Sequence, residues 1–279
     1  MVVRTSTRAF FVSIMILLAA GCQPPAREGS RRPTPEPTAR PTRGTPRPQP
    51  SVPSASNTPA ASNTPANGSS AAEFTFNPPG QLQPNSGDGD ADPTIYAPGI
   101  RFPIEAPKAF ANSQVYGHGG DQSRVGGQCD SVNYGYPWTD NFCEKRPRTT
   151  PLCPGGTGHQ GQDIRPNSCV KGKYLAVAAE AGTITQIGIY TVYLAADSGR
   201  TFRYLHLDMN NLRVQVGDKV ARGQAIGYVS NDFGSEKTTI HLHFEIREPV
   251  TDGSATITTF VPPYSSLVDA YQRLLAGER

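Results

Sequence analysis

The chain has 279 residues, with 26 basic and 23 acidic side chains and a formal net charge of +3 at pH 7. Residues 1–50 hold eight of the basic and two of the acidic residues, so the remainder has 18 basic against 21 acidic residues and a net charge of −3. This balance excludes a basic nucleic-acid-binding domain as the folded part of the chain. The length allows one or two domains.

The first 22 residues have the pattern of an export signal. Two arginines precede an apolar run from Ala9 to Ala20, which is too short to span a bilayer and suits the apolar core of a signal peptide. The small residues before Cys22 resemble a bacterial lipobox, in which the cysteine is lipidated and becomes the mature N-terminus. We predict a signal peptide over residues 1–22, export to the bacterial cell envelope and a membrane anchor through a lipid on Cys22. The alternative is an ordinary cleaved signal and a secreted protein.

The region after the signal has the composition of a tether. Residues 23–72 contain no aromatic residue, no Leu and no Ile, and the sequence ASNTPA occurs twice in tandem at 55–66. Such a segment cannot bury enough apolar surface to fold by itself. Because residues 73–98 still contain the loop-like runs NPPG and NSGDGDADP, we predict a disordered tether over 23–98 and a folded domain over 99–279.

Four cysteines remain beyond Cys22: Cys129, Cys143, Cys153 and Cys169. An even number of cysteines in an exported chain predicts two disulfides. Three pairings are possible. We favour the pairing of neighbours, Cys129 with Cys143 and Cys153 with Cys169, because it closes short loops.

The C-terminal part is typical of a mainly β domain. Six segments are rich in β-branched and aromatic residues and are separated by turn residues: KYLAVAAEAG, TITQIGIY, TVYLAAD, TFRYLHLD, QAIGYVS and IHLHFEI. Long helices do not alternate with these segments, which argues against a doubly wound parallel sheet. One helix is predicted from Ser265 to Ala276, with Gly277 as its stop.

Two of the five histidines of the chain, His241 and His243, stand one residue apart in the stretch TTIHLHFEI. Side chains on a strand alternate between two faces. The two imidazoles therefore share one face with Glu245, while the apolar residues between them face the core. Taken alone, the stretch is also compatible with a solvated polar face that carries two incidental histidines.

Three further polar residues follow the same logic. His159 and Asp163 in GHQGQDI share one face in either a helical or an extended conformation, and Gly161 argues against the helix. In RYLHLD, the alternation predicts that His206 and Tyr204 point away from the core, into which the two leucines point.

Catalytic zinc sites use three protein ligands drawn from His and carboxylate and keep a fourth position for water. The bound cation lowers the pKa of that water toward neutrality and polarises a substrate carbonyl. One such motif by itself is compatible with a polar turn. The four histidines and the carboxylate together favour a zinc centre over coincidence.

The order H-x3-D, YLHL and HLHFEI resembles the lysostaphin-type (LytM-like) peptidoglycan metalloendopeptidases over about residues 138–247. The spacer VQVGDKVARGQAIGYVS is similar to a segment of the same family. The resemblance implies three zinc ligands, His159, Asp163 and His243, and two catalytic histidines, His206 and His241.

The resemblance also implies an antiparallel β-sheet that lines a groove and one Zn2+ per chain, to which the even cysteine count adds disulfide-linked loops. The expected activity is hydrolysis of peptide bonds in the stem peptides or cross-links of peptidoglycan, by metal-activated water assisted by two histidines. The expected partner is peptidoglycan, with no nucleic acid and a monomeric chain. The alternatives are a non-catalytic wall-binding protein and an activator of a cell-wall amidase; such proteins typically lack some of the five residues, which are all present here. A purely structural zinc site would be cysteine-rich.

Overall fold

The computed structural model describes residues 73–252 and 255–278. The predicted signal peptide, the predicted lipidation site Cys22 and the part of the predicted tether over 23–72 lie outside these residues. The elements of the described part are β1 (Ala109–Ala111), a 3-10 helix (Ser131–Tyr134), β2 (Gln162–Pro166), β3 (Leu175–Val177), β4 (Gly182–Ile187), β5 (Thr191–Ala196), β6 (Thr201–Leu205), β7 (Lys219–Val220), β8 (Ala225–Tyr228), β9 (Asp232–Phe233), β10 (Glu236–Lys237), β11 (Leu242–Asp252), β12 (Ala255–Val261) and α1 (Tyr264–Leu275). None of the helices in these ranges is long and apolar enough to cross a bilayer.

One sheet of eight strands organises the domain. Its order is β1–β2–β11–β6–β5–β4–β7, with β12 also paired to β11, and each of its ladders is antiparallel. Two small two-stranded sheets, β3–β8 and β9–β10, accompany it. The prediction of a mainly antiparallel β domain with one C-terminal helix is confirmed, and each of the six predicted segments contains a strand.

The structure adds strands that the sequence pattern did not indicate. Four of them, β1, β7, β9 and β10, have only two or three residues, too few to show a period of two. The fifth, β2, has the sequence QDIRP and is fully buried in the sheet, although most of its residues are polar. The sixth, β12, has the sequence ATITTFV, which is rich in β-branched residues and could have been predicted.

The central strand β11 lies between β2 and β6, and its register determines which residues meet. His243 stands directly opposite Asp163 on β2 and opposite Leu205 on β6. Residues that are directly opposite in an antiparallel pair point to the same face, with Cβ atoms about 4.5–5.5 Å apart. The neighbours of His243, Leu242 and Phe244, point to the other face and are fully buried in the core, as predicted.

The prediction for the end of β6 was wrong in one respect. Tyr204 lies in the core opposite Phe244, and its hydroxyl accepts a hydrogen bond from the Ala179 N–H at 2.8 Å. Leu205 instead lies on the face of His243. His206 has a φ of +65°, so the alternation ends with the last residue of β6. This left-handed conformation turns the imidazole out of the pleat and toward the same face.

The C-terminal helix was predicted well. It runs from Tyr264 to Leu275 and packs its buried face, which includes Leu267 and Tyr271, against the core. Gly277 has a φ of +94°, and its N–H donates to the carbonyl of Leu274 at 3.0 Å. A glycine in this conformation is a common helix stop.

Two disulfides are present, as predicted, but their pairing differs from the expectation. The bonds are Cys129–Cys169 and Cys143–Cys153. The first one joins residues 40 positions apart, because the loop that carries Cys129 lies beside β2. There, Nη1 of Arg165 donates to the carbonyl of Gln128 at 2.9 Å. The second closes a loop between residues 10 positions apart, and the Cys143 N–H also donates to the His159 carbonyl at 3.0 Å.

The predicted tether extends too far, because residues 73–98 pack on the domain. The ring of Phe74 lies 4.8 Å from the rings of both Trp138 and Tyr271, centroid to centroid. The Asn77 N–H donates to the Trp138 carbonyl at 2.9 Å, and the Gly80 N–H donates to Oδ2 of Asp140 at 2.8 Å. A few aromatic residues bury enough apolar surface to hold the segment on the domain, although its overall composition is rich in proline and glycine.

The contact of Phe74 with the domain gives a test of this boundary. We expect Phe74→Ala to lower the free energy of unfolding by about 3 kcal/mol, because a large side chain is removed from an aromatic cluster. Phe76→Ala is the matched control; that ring is 43% exposed, so the expected loss is about 1 kcal/mol or less. Denaturant unfolding of the two variants measures both values. Equal, small losses would contradict the packing of this segment.

Candidate active site

Three side chains that could bind a metal ion converge on the face of the sheet that carries His243. One donor atom each from His159, Asp163 and His243 lies within 4.8 Å of the other two, and all three residues are buried. Oδ1 of Asp163 is 3.4 Å from Nε2 of His159 and 2.9 Å from Nδ1 of His243. Ligands that bond one metal ion tetrahedrally at about 2.0–2.1 Å are about 3.3 Å apart. The spacing therefore suits a single small metal ion.

Local backbone structure brings the three ligands together. Asp163 and His243 are cross-strand partners on β2 and β11, and His159 lies in the loop that leads into β2. The loop passes so close to β11 that a Cβ atom at Gly161 would lie 2.4 Å from the Phe244 carbonyl oxygen and 2.9 Å from Nε2 of His243. Only glycine fits at this position.

Outer partners hold each ligand in place. Nδ1 of His159 donates to the Asn141 carbonyl at 2.9 Å, and Nε2 of His243 donates to Oε1 of Glu245 at 2.8 Å. Nδ2 of Asn141 also donates to Oδ2 of Asp163 at 2.7 Å, and the Asp163 N–H donates to Oδ1 of Asn141 at 3.1 Å. Each imidazole therefore has one nitrogen fixed and the other directed at Asp163. Hydrogen bonds of this kind fix the tautomer and orientation of metal-binding histidines.

The other two histidines are held in a similar way. Nδ1 of His206 donates to the Asp232 carbonyl at 2.8 Å, and Nδ1 of His241 donates to the Thr239 carbonyl at 2.8 Å. Nε2 of His241 lies 3.4 Å from Oδ1 of Asp163, and the ring centroids of the two histidines are 4.7 Å apart. Both imidazoles are buried, and because Nδ1 is the donor in each ring, Nε2 is the nitrogen that can accept a proton.

Burial and charge set the protonation of these groups. Burial lowers the pKa of His159 to about 4, and it lowers the pKa of His206 well below its usual range. Burial opposes ionisation of Asp163 as well, but His159 and His241 outweigh it and hold the pKa of that carboxyl well below 3.8. Burial would also lower the pKa of His243, but the carboxylates of Asp163 and Glu245 outweigh it and raise the value. A metal ion would displace that proton.

The structure brings all five predicted site residues into one cleft of about 190 Å3. Other parts of the chain complete the lining: Gln114, Val115, Asp121, Arg146, Arg148, Leu205, Phe233 and Thr238. The sequence did not indicate Asn141, which is separated from Asp163 by 22 positions and has no motif around it. Glu245 was predicted on the correct face, but its hydrogen bond to His243 was not foreseen.

The outer partner Glu245 gives a prediction for metal affinity. We expect Glu245→Gln to weaken binding of a divalent metal ion about 10- to 100-fold, because the carboxylate that orients His243 becomes neutral. Glu248→Gln is the matched control, since Glu248 lies on the same strand and pairs with Arg200 at 2.8 Å. Competition with a chelator of known affinity measures both variants. The same affinity in both would contradict a positioning role for Glu245.

Comparison with known proteins agrees with this geometry. Residues 157–256, which contain all five histidine and aspartate positions of the site, match the model of peptidase family M23. No curated protein sequence matches the chain.

Solved structures that resemble part of the chain were also found, at low overall similarity. One is a putative glycyl-glycine endopeptidase lytM from Ruminococcus gnavus, 20% identical over 62% of this chain and 61% of that chain, with a TM-score of 0.38. A second is the catalytic domain of the antimicrobial peptidase lysostaphin from Staphylococcus simulans, 26% identical over 49% of this chain and 94% of that chain, with a TM-score of 0.35. A third is a zinc-containing peptidase from Vibrio cholerae, 26% identical over 39% of this chain and 32% of that chain, with a TM-score of 0.29. Over residues 157–256, the chain is therefore similar in sequence to peptidase family M23.

Proposed function

We propose that the protein is a zinc-dependent endopeptidase that hydrolyses peptide bonds in the stem peptides or cross-links of bacterial peptidoglycan. The observation that carries this proposal is a ligand set, His159, Asp163 and His243, placed beside two further imidazoles, each with a free nitrogen. A binding protein has no need of two such histidines next to a metal site. This arrangement favours the enzyme over a wall-binding protein or an amidase activator.

The donor set suits zinc. Two imidazole nitrogens and one carboxylate oxygen form a typical catalytic zinc site that keeps one position open for water. The thiols of Cys129, Cys143, Cys153 and Cys169 are all used in disulfides, so they do not compete as ligands. When bound, Zn2+ lowers the pKa of a coordinated water toward 7 and polarises the carbonyl of the substrate.

The two remaining histidines supply the proton transfers. Nε2 of His241 is 3.4 Å from Oδ1 of Asp163, so with a metal ion held by His159, Asp163 and His243 it would be the group that takes a proton from the attacking water. His206 faces His241 across the same cleft. The imidazolium of His241 formed in this step would then give its proton to the leaving amine. His206 would be the second imidazole beside the reacting carbonyl. Neither histidine needs to change its Nδ1 hydrogen bond in these steps.

The place of action follows from the substrate. We propose that the protein is exported to the cell envelope, because peptidoglycan lies outside the cytoplasm. We also propose that a lipid on Cys22 holds it there and that it is a monomer. The two disulfides support export, since such bonds persist in oxidising compartments.

The activity is tested by digestion of purified cell walls. We expect the protein to release new amino termini that mass spectrometry identifies as those of a stem peptide or cross-link. A zinc chelator should abolish the release, and added Zn2+ should restore it, because the water is activated by the metal. Undiminished digestion by a metal-stripped sample would contradict the proposed mechanism, and intact walls under all conditions would contradict the proposed activity.

The two classes of histidine should differ when they are replaced. We expect His243→Ala to lose both zinc and activity. His241→Ala and His206→Ala should keep nearly stoichiometric zinc but lose about 10²- to 10⁴-fold in turnover, the usual contribution of a general acid or base. Metal analysis and digestion rates of the folded variants measure this difference. If His241→Ala empties the site while His243→Ala keeps its metal, the assigned roles must be exchanged.

A further inference from the structure

One cationic side chain in the active-site cleft has no use in the mechanism above. Arg148 lines the same cleft as the metal ligands and is half-buried. Within residues 73–252 and 255–278, its guanidinium makes no hydrogen bond, ion pair or aromatic contact, although it has five N–H donors. A guanidinium placed in a partly enclosed cleft without a partner is suited to bind an anionic group of a ligand.

The neighbouring arginine differs in this respect. Nη2 of Arg146 lies 3.2 Å from Oε2 of the buried Glu144, and its Nη1 donates to the Lys145 carbonyl at 2.8 Å. The guanidinium of Arg146 is therefore already engaged by contacts within the protein. Asp121 also lines the cleft, but in the described part of the chain it forms no ion pair with Arg148. The positive charge of Arg148 thus remains available to a ligand.

The backbone around Arg148 is fixed in advance. Its carbonyl accepts hydrogen bonds from the Gly158 N–H at 2.9 Å and from Oγ1 of Thr150 at 3.2 Å. The disulfide Cys143–Cys153 closes the loop on which it lies. A loop that is already ordered loses little conformational entropy when it binds, so more of the interaction energy appears as affinity.

We infer that Arg148 binds a free carboxylate of the peptide substrate close to the scissile bond and thereby selects carboxylate-bearing peptides over their amidated forms. This inference rests on the proposed function, because it places the peptide at the metal ligands. Arg148 and Asp163 line the same cleft of about 190 Å3, so a peptide bound at Asp163 can also place a side group at Arg148. The planar guanidinium offers two parallel N–H groups to a carboxylate.

The test uses two fluorescent synthetic peptides of one stem-peptide sequence. One has free carboxylates beside the scissile bond, and the other has primary amides in their place. We expect the wild-type protein to bind the carboxylate peptide about 10- to 100-fold more tightly, the factor that corresponds to a hydrogen bond with a charged group. Arg148→Gln should remove this preference by weakening only the carboxylate peptide, and Arg148→Lys should keep a reduced preference.

The matched control is Lys219→Gln, which removes one positive charge from β7 at the far edge of the sheet. This variant should keep the wild-type preference, as measured by fluorescence anisotropy and by kcat/KM on both peptides. Equal binding of the two peptides by the wild type, or an equal loss for both in Arg148→Gln, would overturn the inference. Competition by inorganic phosphate without any binding of the carboxylate peptide would instead assign Arg148 to phosphate.

Cleavage and binding separate this inference from the proposed function. If both peptides are hydrolysed with equal kcat/KM, the endopeptidase activity stands and the role of Arg148 is refuted. If the carboxylate peptide is preferred in binding but neither peptide nor cell wall is cut, the role of Arg148 stands and the endopeptidase activity is refuted.

Discussion

The antiparallel register of β11 between β2 and β6 is the constraint on which the site depends. It places His243 opposite Asp163, and it places the end of β6 beside both. A shift of one residue would exchange the two faces of β11, because side chains alternate with a period of two. The imidazoles would then enter the core, and Phe244 would be exposed to the cleft. The buried apolar face therefore protects the arrangement of the metal ligands.

A second level of organisation lies behind the ligands. Four imidazoles and a carboxylate buried in one cleft would be costly without hydrogen-bond partners. Each imidazole donates from one nitrogen to an acceptor outside the cluster: the Asn141, Asp232 and Thr239 carbonyls and the Glu245 carboxylate. The three carbonyls carry no net charge, whereas Glu245 is an anionic partner of His243, and all four acceptors determine which nitrogen of each ring faces the cleft. The orientation of the four imidazoles is thus determined by residues that lie behind them.

The sequence was informative where a pattern was long and failed where tertiary contacts decide. The alternation around His243 was predicted correctly, because a buried strand of several residues shows its period. The exposure of Tyr204 was predicted wrongly, since a positive φ at His206 is set by the tertiary structure rather than by the residue type. Asn141 could not be found at all, because its contact with Asp163 joins parts of the chain that are far apart in sequence. The cysteine pairing failed for the same reason: loop length favours near neighbours, but folded geometry chose otherwise.

The N-terminal segment, residues 73–98, is connected through its hydrogen bonds to the residues that position the candidate metal ligands. The Gly80 N–H is held by the carboxylate of Asp140, and the next residue, Asn141, holds both His159 and Asp163. Tension that enters the domain from its N-terminal side is carried first by the aromatic contacts of Phe74 and by this hydrogen bond. A force applied through the N-terminal segment would therefore act on Asp140, one residue before the Asn141 that holds both His159 and Asp163.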